Sequence, residues 1–305
     1  MHDITLYTFD QLRATGLTSG AVKIMVRDGR LRRVRRGHYA LHTPDDAAHQ
    51  HVQLLEATQR ACAADNVISH TSAALLHGLP IRDSALEQVT MTRVSPGHGD
   101  RKPWLFVRAT TITEDEVEQL EGMRVTTKLR TVGDVVRTES FAWGVAAADA
   151  ALRQGMDRDE LVDAVLRHPR LHGVRKGLHA LRFADARAES PLESVSRVNM
   201  VLAGVPTPTL QPRFYDENGD YVARTDFYWE EYGVVGESDG YGKYTTLLAP
   251  GQTVEDVLRA EKAREARLRA LGLFPVRWDW DTGISPDRIA NLLLPILEQH
   301  RKGIE

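Results

Sequence analysis

Residues 222–240 read VARTDFYWEEYGVVGESDG and predict two antiparallel strands joined by a tight turn. Both apolar runs are rich in Val, Phe, Tyr and Trp, as strands are, and residues 230–233 lie between them. A tight turn there places Asp226 directly opposite Glu237. Because residues two apart share a face of a strand, Asp239 joins both on that face. The stretch therefore predicts three carboxylates gathered on one surface of a sheet.

Three carboxylates on one face need a neutralising cation. Like charges directly opposite each other on a sheet destabilise it by about 0.2 to 1 kcal/mol per pair. A divalent ion removes that repulsion, and Mg²⁺ prefers carboxylates, waters and phosphate oxygens as ligands. We therefore expect Mg²⁺ or Mn²⁺ to be held by Asp226, Glu237 and Asp239. The alternative is that all three are exposed positions on an edge hairpin.

The flanking residues predict an α/β domain with a mixed sheet over residues 188–305. Ser190 and Pro191 are favourable as N-cap and first residue of a helix that continues through Leu202. Further elements are predicted at residues 210–215 (strand), 254–271 (helix), 274–280 (strand) and 286–299 (helix).

This order of residues resembles the core of PD-(D/E)XK nucleases, in the branch similar to very-short-patch-repair endonucleases. The resemblance covers residues 188–281. It is carried by Glu193 on a helix, Asp226 on a strand, the segment Glu237-Ser238-Asp239-Gly240, Lys243, Glu261-Lys262 and Val276-Arg277-Trp278. It implies a Mg²⁺-dependent cleavage of DNA phosphodiester bonds, with Asp226 and Glu237 holding the metal and Glu193 assisting.

The sequence departs from that motif at the lysine that positions or activates the attacking water. The motif has this lysine two residues after the Glu, where the chain has Asp239. Lys243, or Lys262 on the next helix, is the candidate to replace it by stabilising charge at the phosphate, while Asp239 adds a ligand or orients water. Two interpretations of Glu193 stay open: the assisting role, or a carboxylate that only favours its helix N-terminus.

The N-terminal segment is strongly basic. Between Thr18 and His42, seven Lys and Arg residues oppose only Asp28. Residues 9–14 and a second helix capped by Thr18 or Ser19 precede LRRVRRGHYAL (31–41), which predicts a hairpin. This is the order of a winged helix-turn-helix, whose second helix enters the major groove while the wing contacts phosphates. The predicted DNA contacts are Thr18, Ser19, Lys23, Arg27, Arg32, Arg33, Arg35 and Arg36. The alternative is a solvated surface ribbon.

A second resemblance covers the first half of the chain. The module ending in RRVRRGHYAL, together with ISHTSAALLHGLP (68–80) and TKLRTV (127–132), is similar to AbiEi-type antitoxins of type IV toxin-antitoxin systems. The resemblance implies that the winged helix binds operator DNA and represses its own promoter. It also implies a cognate toxin protein as a further partner.

The whole chain has 305 residues, a formal net charge of −3 and one cysteine, Cys62. A lone cysteine excludes an internal disulfide and a multi-thiolate zinc site. No apolar run approaches the roughly 20 residues of a membrane span, and the first residues do not open a signal peptide, so we expect a cytoplasmic protein with no membrane partner.

We expect an α+β protein in three parts. Residues 1–44 form the winged helix, residues 45–187 a helical and mixed middle domain, and residues 188–305 the nuclease-like domain. In the middle domain, residues 86–94 and 104–109 read as strands joined by a hairpin loop.

Double-stranded DNA is the partner under two hypotheses, and the pattern allows a homodimer. The first is a Mg²⁺-dependent endonuclease to which the winged helix delivers DNA. The second is a non-catalytic, antitoxin-type transcriptional repressor with a degenerate nuclease fold. A third hypothesis has the C-terminal half binding a toxin directly.

Overall fold

A computed structural model describes residues 6–44, 46–59, 62, 65–95, 97–240 and 253–301. The chain divides into two compact units. The described residues of Met1–Thr138 and Asp159–Gly177 form the first unit, and those of Glu139–Arg158 and Leu178–Glu305 form the second. The expected α+β class with mixed sheets is confirmed. The predicted three-part division stays a prediction.

The first unit opens with the predicted helix, turn, helix and hairpin. Its elements are β1 (Leu6–Thr8), α1 (Phe9–Ala14), α2 (Ser19–Arg27), β2 (Arg32–Arg35) and β3 (His38–Ala40). The three strands form an antiparallel sheet in the order β1-β3-β2. Thr18 Oγ1 accepts the Ala21 N–H at 3.2 Å and caps α2. Leu12, Val22 and Leu31 form the buried core beneath the two helices.

A six-stranded mixed sheet makes up most of the rest of the first unit. Its order is β6-β7-β5-β4-β9-β8, with helices before and after. The elements are α3 (Ala47–Gln59), β4 (Asn66–Ile68), α4 (His70–Leu76), β5 (Val89–Arg93), β6 (Asp100–Lys102), β7 (Leu105–Ala109), β8 (Val117–Leu120), β9 (Met123–Thr126) and α5 (Lys128–Thr138). The predicted hairpin between residues 86–94 and 104–109 is wrong, because β5 and β7 are parallel and β6 pairs antiparallel with β7 instead.

Three helices follow in the chain. They are α6 (Phe141–Arg153), which belongs to the second unit, α7 (Arg158–Leu166), which lies almost wholly in the first, and α8 (Val174–Phe183), which runs from the first unit into the second.

The second unit contains a four-stranded mixed sheet in the order β10-β13-β14-β15. Its elements are α9 (Pro191–Leu202), β10 (Thr209–Leu210), β11 (Arg213–Tyr215), β12 (Tyr221–Arg224), β13 (Phe227–Trp229), β14 (Val234–Ser238), α10 (Val254–Ala270), β15 (Phe274–Trp278), α11 (Trp280–Gly283) and α12 (Pro286–Gln299). Strands β14 and β15 are parallel, whereas β13 pairs antiparallel with both β10 and β14.

The predicted register of the decisive hairpin is confirmed. Phe227 pairs with Gly236 and Trp229 with Val234, so the backbone carries Asp226 to the position opposite Glu237. The first predicted strand is not continuous, however. It breaks at Thr225 and Asp226 into β12, which forms a separate hairpin with β11, and β13, which joins the main sheet.

The two faces of this sheet are covered differently. Phe227, Trp229 and Trp278 lie on one face and pack into the core cluster that contains Met200 of α9 and Leu293 of α12. Val235 lies on the other face in the cluster that contains Leu268 of α10. The sheet is therefore buried on both sides, and the polar residues gather where β13 begins and β14 ends.

We expect Gly236→Ala to lower the free energy of unfolding by about 1 to 3 kcal/mol, because overpacking forces buried side chains to shift. A Cβ at Gly236 would lie 2.8 Å from the Trp278 ring and 3.0 Å from the Trp229 ring. The measurement is urea unfolding followed by tryptophan fluorescence. Gly240→Ala is the matched control, since its Cβ would meet no atom of the described residues within 4 Å. Equal unfolding midpoints for the two variants would contradict this packing.

Candidate functional site

The break between β12 and β13 places the Asp226 carboxylate against the end of β14. Its Oδ2 accepts the Ser238 N–H at 2.9 Å and the Ser238 hydroxyl at 3.1 Å. The backbone carbonyl of Asp226 accepts the Gln211 N–H at 3.0 Å. Side chain and main chain of Asp226 are thus both fixed, which holds the carboxylate in one orientation.

Glu193 lies beside Asp226, brought there by the first turn of α9. Its side chain is 6% exposed, and its Oε2 accepts the backbone N–H of Glu189 at 2.8 Å. Burial, followed by the negative charge of Asp226, raises the pKa of the Glu193 carboxyl. A carboxylate that only benefits from a helix N-terminus would have its charged form favoured. Burial is the largest cause of the raised pKa and the charge of Asp226 adds to it, so the two carboxyl groups interact, and both interpretations of Glu193 stay open.

Gln211, which sequence analysis missed, links the two carboxylates. Its Nε2 lies 2.9 Å from Glu193 Oε2 and 3.4 Å from Asp226 Oδ1. Its backbone has φ of +52°, a left-handed conformation that is uncommon for a residue other than glycine. Its Oε1 is buried and has no hydrogen-bond partner among the described residues. Gln211 follows a two-residue strand and precedes a proline, so no periodicity or motif marked it.

Glu237 is neutralised by arginines. It is 8% exposed, and its Oε2 lies 2.9 Å from Arg277 Nη2 and also pairs with Arg264. Arg277 stands directly across from Glu237 on the parallel strand β15, and Arg264 reaches it from α10. Glu261 of α10 pairs with both arginines, at 2.9 Å from Arg264. The result is an alternating cluster of two carboxylates and two guanidinium groups.

Asp239 lies just past β14, where its N–H donates to the Trp278 carbonyl at 2.8 Å. Asp239 borders an open depression of about 480 Å³ at the end of β15. The other lining residues are Arg277, Trp278, Asp279, Thr282, Arg288, Asn291 and Leu292. Lys243, the candidate for the motif lysine, lies outside the described residues.

The structure therefore groups the predicted catalytic residues in two sets. Asp226 lies with Glu193 and Gln211, whereas Glu237 lies with the arginines of α10 and β15. Within the part of the chain that is described, no group of three or more His, Cys, Asp or Glu side chains is arranged to hold a metal ion. The metal set Asp226, Glu237 and Asp239 stays a prediction. We name Glu193, Gln211, Asp226, Glu237 and Asp239 the carboxylate site.

The predicted DNA-binding residues also separate into two groups. On α2, Ser19, Lys23 and Arg27 are exposed and follow one another at intervals of four, so they share one face of the helix. Thr18 is exposed but uses its hydroxyl to cap that helix. On the hairpin, Arg33 and Arg36 are exposed. We name the exposed residues Ser19, Lys23, Arg27, Arg33 and Arg36 the basic face.

The remaining two arginines, Arg32 and Arg35, hold the hairpin to the protein. Arg32 donates to the Gln53 side chain on α3. Arg35 Nη1 donates to the Ala57 carbonyl at 3.0 Å, and its guanidinium lies 4.2 Å from the centre of the Trp104 ring. Both guanidinium groups have protein partners and hold the hairpin in place, while their contact with DNA stays a prediction. Sequence could not distinguish them from their exposed neighbours, because Trp104 is far away in the chain.

Comparison with known proteins finds two relatives in strains of Mycobacterium tuberculosis. They are the uncharacterized proteins Rv2248 and MT2308, each 27% identical to this chain over 288 residues. The match covers 93% of this chain and 99% of each relative. No family model matches the chain. Among the described helices, none has the length and apolar character to cross a membrane.

We expect the free energy of unfolding to fall less steeply with rising pH in Glu193→Gln than in the wild type. The folded state raises the Glu193 pKa above its usual value of 4.5, so it holds the proton more tightly than the unfolded chain does. Stability is therefore lost as pH rises from that value through the folded pKa. The measurement is the free energy of unfolding of both proteins, obtained from urea denaturation at a series of acidic pH values.

Glu231→Gln is the control for this experiment, because Glu231 is exposed and outside the carboxylate site. It should follow the wild-type pH dependence. A Glu193→Gln profile parallel to the wild type would mean that Glu193 is not held in the environment described.

Proposed function

We propose that this protein binds double-stranded DNA through the basic face of its first unit. The observation that carries the proposal is the outer surface of α2, on which exposed Ser19, Lys23 and Arg27 form one row on the helix. Arg33 and Arg36 on the hairpin add two exposed positive charges. An α-helix fits the major groove, and flanking cations neutralise phosphates, which supplies most of the sequence-independent affinity.

We propose further that the carboxylate site is a Mg²⁺-dependent endonuclease centre. The chemistry of the side chains supports a cation between Glu193 and Asp226, because a group with positive character already lies there. This group is the amide nitrogen of Gln211, which is within 3.4 Å of one oxygen of each carboxyl group. An amide also carries an oxygen, and Gln211 Oε1 has no partner within the described chain. Mg²⁺ takes one or two carboxylates and completes its shell with other oxygens.

Glu193, Asp226 and, after a half-turn of the side-chain amide, the Gln211 oxygen would hold this ion. When bound, it supplies positive charge that stabilises a phosphodiester under attack. The ligand set differs from the one predicted from sequence in that Glu193 and Gln211 take the places of Glu237 and Asp239. Asp239 is left to orient water, and Lys243 keeps its proposed role of stabilising charge at the phosphate.

The chain's own residues have three roles in this reaction. The hydrogen bonds from Ser238 keep Asp226 oriented. Arg264 and Arg277 bring two positive charges next to the site and neutralise Glu237. Glu193 accepts a hydrogen bond from Gln211 and lies close enough to Asp226 to interact with its charge, so it is placed to share the ion with Asp226.

A second candidate function is transcriptional repression without cleavage. The observation that favours it is that Glu237 is already paired with Arg264 and Arg277, while Asp239 stands at the position of the motif lysine. A Glu neutralised by two guanidinium groups needs no metal to offset its charge. Under this proposal the second unit is a scaffold, for a toxin protein or a second copy of the chain, and DNA binding is independent of metal.

We expect Arg36→Ala and Arg35→Ala to have different effects. Arg36→Ala removes one phosphate contact, so the slope of log affinity against log salt becomes shallower by about 0.9. Arg35→Ala removes a hydrogen bond and a cation-π contact and lowers the free energy of unfolding by about 1 to 3 kcal/mol. Fluorescence anisotropy with a duplex and urea unfolding measure these effects.

Arg170→Ala, at an exposed position that is not among the basic-face residues, is the control for the salt titration and should keep the wild-type slope. An unchanged slope in Arg36→Ala would remove the hairpin from the DNA interface. An unchanged stability in Arg35→Ala would contradict its docking role.

We expect purified wild type to nick or cut supercoiled and linear DNA with Mg²⁺ or Mn²⁺ and not with chelator. Asp226→Asn should reduce cleavage at least about a hundredfold, as loss of one electrostatic group in an active site does, and should lose Mn²⁺ binding in calorimetry. Glu231→Gln should behave as wild type. No cleavage by wild type, together with metal-independent retention of its own promoter fragment in a gel, would establish the repressor instead.

A further inference from the structure

One apolar side chain interrupts the polar outer surface of α2. Ile24 is 46% exposed and follows Lys23 in α2, three residues before Arg27 at the end of the helix. The buried side of the same helix is provided by Val22, which is 2% exposed and packs with Leu12 and Leu31. Ile24 is therefore not needed for the core of the first unit, and it presents its methyl groups on the side of α2 that we propose meets DNA.

The helix turn before Ile24 leaves space for a close approach. Gly20 precedes Ile24 by four residues and so lies next to it on the helix surface. Apart from its chain neighbours and the backbone of its own helix, a Cβ at Gly20 would meet one described atom within 4 Å, Thr18 Oγ1 at 3.8 Å. Ser19, Lys23 and Arg27 form the adjacent row. The surface of α2 thus combines a small residue, an aliphatic residue and flanking cations.

We propose that Ile24 reads the C5-methyl group of a pyrimidine in the major groove. This inference rests on the proposed DNA binding. Hydrogen-bonding groups make up the rest of each base edge in that groove, and the C5-methyl of thymine is the apolar exception that an aliphatic side chain contacts favourably. 5-Methylcytosine displays the same group at the same place. Lys23 and Arg27 hold the phosphates, and Ile24 supplies the sequence preference.

The test begins with the full chain and the tightest duplex selected from a random pool. Each thymine of that duplex is replaced in turn by deoxyuridine, which removes the methyl group and nothing else. At one or two positions wild-type affinity should fall about fourfold, which is the effect of losing the burial of one methyl group. Ile24→Ala should bind the thymine and deoxyuridine duplexes equally at those positions.

A second arm distinguishes the two sources of the methyl group. At the sensitive position the base pair is changed to C·G, with and without the 5-methyl group on cytosine. Binding restored by 5-methylcytosine shows that the methyl group itself is read, whereas binding by the thymine duplex alone assigns thymine as the ligand. Equal binding of thymine and unmethylated cytosine would overturn the proposal.

Leu41→Ala is the matched control, because Leu41 belongs to the same unit and is 45% exposed. This variant should keep the wild-type loss on deoxyuridine substitution. The proposal is overturned if Ile24→Ala keeps that loss too. It is also overturned if Ile24→Ala turns a dimer into a monomer in sedimentation and weakens every duplex equally, since Ile24 is then a contact between copies.

The experiment separates this inference from the function on which it rests. If wild type binds duplexes with a salt-dependent affinity but shows no sensitive thymine, only the role of Ile24 is lost. If wild type retains no duplex at any salt concentration, the proposed DNA binding and the role of Ile24 are lost together.

Discussion

The carboxylate site depends on how Asp226 is bonded to Ser238. Two hydrogen bonds from Ser238, at 2.9 and 3.1 Å, attach the residue at the break between β12 and β13 to the last residue of β14. Hydrogen bonds to a charged acceptor are stronger than those between neutral groups, so they hold this break in place. The tight turn at residues 230–233 sets the register of β13 on β14, and the parallel pairing of β14 with β15 sets Arg277 beside Glu237.

The structure balances the charges of Glu193 and Glu237, two carboxyl groups near the end of β14, in different ways. Glu193 is buried against Asp226, shares an amide donor with it, and has a raised pKa. Glu237 instead has two guanidinium groups, and a buried charge of this kind is costly unless it is paired. In the first arrangement two carboxyl groups share the amide of Gln211, whereas in the second one carboxylate is paired with two cations. This contrast is why the nuclease and repressor hypotheses both retain physical support.

Structural features that depend on the local periodicity of the sequence were predicted correctly. Features that depend on contacts between residues far apart in the chain were not predicted. The facing of Asp226 and Glu237, the helix that carries Glu193 and the helix-turn-helix order all follow from alternation, caps and turns, and the structure has them. Nothing local marked Gln211 or Arg264 as part of the site, because Asp226 lies 15 residues from Gln211 and Glu237 lies 27 residues from Arg264. The sequence did not predict the parallel pairing of β5 with β7, because the residues of β6 resemble a hairpin loop between two strands.

The docking of the hairpin by Arg32 and Arg35 has a consequence for how fast and how tightly the first unit could associate. A free basic arm loses conformational entropy when a partner immobilises it, and that loss subtracts from affinity. Here the hairpin is already fastened to α3 and stacked on Trp104 before any partner arrives. Arg33 and Arg36 are therefore presented on a preorganised scaffold, so a partner that bound them would not have to fold the hairpin first.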